Sequence, residues 1–179
     1  MTPDRADVQV MQTMIDTMVG IPQFSYPARQ RDAAKPDGEF AHIRVLEEYQ
    51  VGIPTNKIKE QDELTTTYQI ISPVRLRFRI GVVNSQGLSA TKIMHGWSTE
   101  VMKALMISTG YGFIRCDPIS NEDRLLEKEW EYDKGFAVEV YSTRIFEETV
   151  NNITSVQISG EYITQALESI LTNYDINNN

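Results

Sequence analysis

The longest alternation of apolar and polar positions runs through residues 65–83, TTTYQIISPVRLRFRIGVV. Val74, Leu76, Phe78 and Ile80 take every second position, with Arg75, Arg77 and Arg79 between them. A period of two puts the four apolar side chains on one face of a strand and the three guanidinium groups on the other. One face is built for burial, the other for charge. Pro73 offers a sheet no N–H, so the pattern predicts an edge, bulge or bend there and two strand segments in place of one straight run.

Upstream, Thr2, Pro3 and Asp4 read as an N-cap, a first-turn proline and a first-turn acid. Val8, Met11, Ile15 and Met18 then recur at helical spacing, with Met14 beside them as further core, until Gly20 and Pro22 end the helix. Residues 21–38 keep no apolar period and are punctuated by Pro22, Pro27, Pro36 and Gly38. They predict a long loop whose basic residues Arg29, Arg31 and Lys35 are candidates for an arm reaching a neighbouring subunit. The next segment, EFAHIRVLEEYQV, is a short strand with two mixed faces, so its register is not set by the pattern. Gly52 and Pro54 break it, and polar residues 55–63 read as a loop or the far end of a long hairpin.

Downstream, Ser89 can cap a helix over Ala90–Ile107, with Ile93, Trp97, Val101, Ala104 and Leu105 as its buried stripe and Gly110 in the left-handed position after its end. Residues 111–116 form a short strand, closed by Asp117 and Pro118. Next, Leu126, Trp130 and Tyr132 share one parity, as do Phe136, Val138 and Val140. A bulged loop at Asp133-Lys134-Gly135, with Gly135 left-handed, would align Tyr132 with Phe136 and Trp130 with Val138. That register sets Glu127, Glu129 and Glu131 outward, with Glu139 opposite Glu129. Opposed like charges are destabilising, so Arg75, Arg77 and Arg79 are the candidate balance, within the sheet or between subunits. Val156 and Ile158 suggest one more strand, and the four-residue repeat from Tyr162 to Leu171 a helix over Gly160–Asn173. The expected fold is α/β (α+β): a mixed, largely antiparallel sheet flanked by helices, with long loops. It forms one domain over residues 1–172, with a flexible tail at 173–179.

Composition narrows the function. At 41% hydrophobic and 23% charged the chain is ordinary for a folded domain, and its single cysteine, Cys116, allows no internal disulfide. The start, MTPDRADVQV, lacks the pattern of a signal peptide, and no apolar run approaches the roughly 18 residues of a membrane span, so no membrane partner is expected. A net charge of −8 argues against general nucleic-acid binding, yet suits a passage through which DNA slides without sticking.

No group stands out for catalysis, cofactor binding or metal ligation, and no enzyme is expected. His42 and His95 have no ligand spacing, and Cys116 has no evident base. Residues 108–112, STGYG, lack the Lys and Ser or Thr of a phosphate loop and end a helix instead of opening one. The even spacing of Glu127, Glu129 and Glu131 is what an exposed strand face gives without any metal.

The order of these elements carries a resemblance. An N-terminal helix, a loop with Gln30 and Pro36, the segment EFAHIRVLEEYQVGIP, the alternating strand, a central helix, and the strands around EKEWEYDKGFAVEVYSTRIFEE resemble the phage neck and tail terminator family over approximately residues 5 to 160. The resemblance implies a structural virion protein, assembled in the host cytoplasm as a hexameric ring. Such a ring caps the tail tube, stops its polymerisation and receives the head connector, with sheath proteins as further partners and DNA passing through the lumen. Residues 160–179 have no counterpart in that pattern. The alternatives are another tail-tube or connector component, or a small hydrolase. If the arginine row is a set of charge partners, Arg77→Glu should impair folding or assembly, read by circular dichroism and light scattering, more than any affinity for DNA; a loss confined to DNA binding would make the row a nucleic-acid site.

Overall fold

Helical spacing in the first twenty residues closes into α1 (Pro3–Val19), which buries Met11, Met14, Ile15 and Val19. In the computed structural model the described residues are 3–28, 36–126, 129–131, 133–152, 157–162 and 170–175, with the backbone alone for 3–5, 124–126, 129–131, 157–162 and 170–175. The expected cap Thr2 and the basic residues Arg29, Arg31 and Lys35 lie outside them. Gly20, at φ 81°, ends α1 by donating its N–H to the Asp16 carbonyl. The Asp16 carboxylate then accepts from the backbone N–H groups of Gln23 and Ser25 and from the Ser25 hydroxyl. These bonds steer the chain into β1 (Ser25–Pro27), a short strand inside the expected loop, parallel to β2 (Phe40–Gln50).

The chain divides into two compact units, residues 1–53 with 72–144, and residues 54–71 with 145–179. The divisions fall inside β4 (Thr65–Val83) and β9 (Asp133–Asn151), each a 19-residue strand. β4 is continuous through Pro73, contrary to the two segments expected. Its pairs with β3 (Thr55–Gln61) end at Ile71, and its pairs with β2 begin at Val74. Pro73 therefore sits at the seam between two partners, where its missing N–H removes no ladder bond, while its carbonyl accepts from Val51.

In the first unit the strand order is β1-β2-β4-β9-β5, with β5 spanning Gly112–Cys116 and β6 (Ser120–Asn121) also paired to β9. The β1–β2 pair is parallel while β2–β4, β5–β9 and β6–β9 are antiparallel, so the sheet is mixed and largely antiparallel, as expected. Val74, Leu76, Phe78, Ile80 and Val82 of β4, Ala41 and Ile43 of β2, and Phe136, Val138 and Val140 of β9 form one buried core with the helices. Each large apolar side chain buried there contributes about 1.5–3 kcal/mol.

The single helix expected over Ala90–Ile107 is two. α2 (Leu88–Gly96) and α3 (Glu100–Thr109) are separated by Trp97, Ser98 and Thr99. Thr99 caps α3, its hydroxyl accepting from the Met102 N–H, and Gly110 ends it at φ 74°. The N-cap of α2 is Gly87, and the Ser89 hydroxyl donates instead to Glu39. A Cβ on Gly96 would strike Met18, so this glycine is where α1 and α2 approach closely. The break moves the buried stripe: Met102 and Met106 face the core, while Val101 is 66% exposed.

Two further expectations fail. The described residues 124–126 and 129–131 do not pair with β9. Instead β7 (Arg124–Leu126) and β8 (Glu129–Glu131) pair with each other, and β9 pairs with β5 and β6. Tyr132 lies outside the described residues, and Gly135 is not left-handed: it gives room to Arg79 and Glu122, which a Cβ would strike. In the second unit, β10 (Gln157–Tyr162) and β11 (Ile170–Asp175) form an antiparallel pair where a C-terminal helix was expected. Ile158, Ile170, Thr172 and Tyr174 favour a strand over a helix.

Met102→Ala should cost about 2–5 kcal/mol in urea denaturation, and Val101→Ala less than about 0.5. Equal costs would restore the single-helix register.

Candidate functional site: an arginine-bearing sheet face

The sheet face turned away from the helices is assembled by a bulge. Along β2, Ala41, Ile43 and Val45 lie opposite Val82, Ile80 and Phe78, so the odd residues face the core. The register then shifts between Val45 and Glu47. One extra residue reverses parity beyond that point. Glu48, opposite Leu76, joins the core side, while Glu47 and Tyr49 come opposite Arg77 and Arg75 on the outer face, where Arg44 already faces Arg79. A second register shift between Phe113 and Arg115 sets Arg115 opposite Glu139.

The face is organised around Glu139, only 4% exposed. Its carboxylate accepts a 2.8 Å hydrogen bond from Arg115 Nη2 and has Arg77 Nε and Arg75 Nη1 each at 3.8 Å. Arg77 also donates to Asp117 at 3.0 Å, Arg79 pairs with Glu122, and the Arg75 guanidinium lies 4.9 Å from the centre of the Tyr49 ring. The hydrogen bond from Arg115, then its charge and those of Arg75 and Arg77, hold the Glu139 carboxyl below its ordinary value of 4.5 against the opposing effect of burial.

Of the residues singled out from sequence, Arg75, Arg77, Arg79 and Glu139 thus meet on one face. Glu139 faces Arg115, which corrects the expected Glu129 opposition and replaces a repulsive pair with an attractive one. Glu129 and Glu131 lie in β8 opposite Leu126 and Arg124, and Glu127 lies outside the described residues. Sequence reasoning missed Arg44, Tyr49, Arg115, Asp117 and Glu122: the β2–β4 register places Arg44, the two bulges place Tyr49 and Arg115, and backbone bonds to β9 hold Asp117 and Glu122.

A second charged cluster closes the core side. Asp7, buried in α1, receives Arg144 of β9 through two hydrogen bonds of 3.0 and 2.6 Å and also accepts from the Tyr111 hydroxyl. Arg144 donates as well to Glu48, the residue that the β2 bulge turned inward. Burial, then the bond to Asp7, push the Tyr111 phenol up to about 12. The Cys116 thiol is pushed up to about 11 by burial and the Asp117 charge, so at neutral pH it stays protonated. His42 packs on Gly81, and His95 is exposed on α2. Among the described residues no group of acidic, histidine or cysteine side chains is arranged to hold a metal, and no helix is long and apolar enough to cross a membrane.

The architecture is that of an α+β protein with one sheet face under helices and the other bearing matched charge. The chain belongs to the phage neck terminator protein family, whose model matches residues 8–165. This is a family of structural proteins of the phage neck and tail, and it places the chain among virion components. No curated protein matches the sequence.

Glu139→Gln should lower stability at pH 7 by about 1–3 kcal/mol, because three guanidiniums lose their shared counter-charge. A depressed folded pKa contributes stability that is complete above about pH 4.5 and is lost as pH falls through the lower folded value. The gap between variant and wild type, measured by urea denaturation, should therefore close in acid. A gap that persists unchanged at pH 2 would assign the effect to shape instead of charge.

Proposed function

We propose that the protein is a ring-forming terminator at the head-proximal end of a phage tail. Six copies cap the tail tube, stop its polymerisation and present the surface to which the head connector docks. Family membership across residues 8–165 is the observation that carries this reading. The partners are further copies of the chain, the tail tube, sheath proteins and the neck or connector proteins, with assembly in the host cytoplasm and residence in the virion neck.

The charge distribution supports the reading. All three arginines of the row are engaged by Glu139, Asp117 and Glu122, and the chain as a whole carries −8. A lumen built from such subunits would let DNA pass without specific binding. The basic residues Arg29, Arg31 and Lys35, and the acidic row Glu127, Glu129 and Glu131, are the proposed contacts between subunits.

The test is arrest of tube growth. Added to elongating tail tubes, the protein should stop extension at about one ring per tube end, with sixfold symmetry in negative-stain images. Unarrested growth would overturn the reading, and stacked rings that lengthen the tube would make the protein a tube component.

A further inference from the structure

The arginine face is not fully neutralised from within. Arg75, Arg77, Arg79, Arg115 and Arg44 share it with the carboxylates Glu139, Asp117, Glu122 and Glu47. Arg44 is exposed and directly opposite Arg79, whose own partner is Glu122. Like charges in register destabilise a strand pair unless a counter-ion lies near. Among the described residues Arg44 forms no ion pair, and Glu47 forms none either. Arg115 keeps 59% of its side chain exposed while bonded to Glu139. The result is a small cationic surplus, centred on Arg44, in a chain of net charge −8.

The opposite surplus lies at the turn between β3 and β4. Glu60, Asp62 and Glu63 fall within four residues, all exposed, and no basic residue follows until Arg75. The turn is held in shape by Asp62, whose carboxylate accepts from the N–H groups of Leu64 and Thr65 and from the Thr65 hydroxyl. These bonds keep Asp62 ionised. The neighbouring Lys59 is taken by Glu147 at 2.6 Å, and Glu60 and Glu63 form no ion pair among the described residues. Glu63 is a free carboxylate on a pre-shaped turn, with Glu60 free beside it at the end of β3.

We infer that the acidic β3–β4 turn of one copy docks on the Arg44 corner of the arginine face of a second copy. The two patches differ, so the contact is heterologous; repeated, it closes a ring or continues as a filament. Its occupant is a protein carboxylate and not nucleic acid, because Glu139, Asp117 and Glu122 stand within the same face and would repel a polyphosphate. The surplus beyond them matches a few carboxylates, not a phosphate chain. The inference deepens the neck reading in one respect only, the surface through which copies meet.

Charge reversal in both partners tests it. Arg44→Glu and Glu63→Lys should each weaken self-association about tenfold in sedimentation equilibrium, and chains carrying both should recover most of it. Arg44→Gln should give a smaller loss, with the circular dichroism of every variant unchanged and the thermal midpoint of the Arg44 variants no lower than that of the wild type, because each relieves the repulsion with Arg79. Equal association by wild type and both reversals overturns the docking surface, as does a wild type that stays monomeric at millimolar concentration. If Arg44→Glu instead abolishes binding to a 30-base-pair duplex and leaves self-association intact, the face is a nucleic-acid site and the inference fails. Arrest of tube growth is scored separately, so the docking surface can fall while the neck reading stands.

Discussion

A sheet strand that carries three arginines on alternate positions must solve an electrostatic problem before it can be central. Flanked by β2 and β9, β4 sets Arg75, Arg77 and Arg79 side by side on one half-covered face, and its other face is already committed to the core. Glu139 resolves the conflict: it is buried beside Arg75 and Arg77 and hydrogen-bonded to Arg115. A buried carboxylate is costly alone, and several adjacent guanidiniums are costly alone. Together they hold β4, β9 and β5 in one register, because a one-residue slip would move Glu139 to the apolar face.

The two bulges serve the same requirement. In β2 the extra residue lets one strand present Ala41, Ile43 and Val45 to the core at one end and Glu48 to Arg144 at the other. Without that parity change Glu48 would face outward and Tyr49 inward, leaving the Asp7–Arg144 pair without its third member and Arg75 without its aromatic neighbour. The core-side cluster joins α1, β2 and β9 where the apolar core ends, and satisfies a buried aspartate with two hydrogen bonds from one guanidinium.

What was legible in the sequence follows from which signals are local. The alternation through Val74–Ile80, the stripe of α1 and the left-handed Gly110 are set by single segments, and they read directly. The arginine row was visible for the same reason, and so was the need for an acidic balance. The partner that supplies it from β9, Glu139, could be named, but not its own counterpart Arg115, since strand pairing depends on long-range choices that two faces of mixed polarity do not decide. The mixed pattern of EFAHIRVLEEYQV was itself the signal of a bulge. The break in the central helix lay in Gly96, Ser98 and Thr99, poor helix formers that a count of apolar spacing passes over. The C-terminal segment misled because repeats at four residues and β-branched side chains point to different structures, and pairing between β10 and β11 decided for the strand.

Net charge sets the last constraint. Copies of a chain that carries −8 repel one another at long range, and within a Debye length of about 8 Å at physiological salt only local complementarity can overcome that repulsion. An assembly contact in such a protein therefore has to be made where the surface departs from the average. The outer face of β2 and β4 is such a place, since it gathers five of the chain's arginines around carboxylates fixed by the fold. Its internal pairing keeps the surplus small, which limits the attraction to a few well-placed acids and gives a polyanion moving past little to hold.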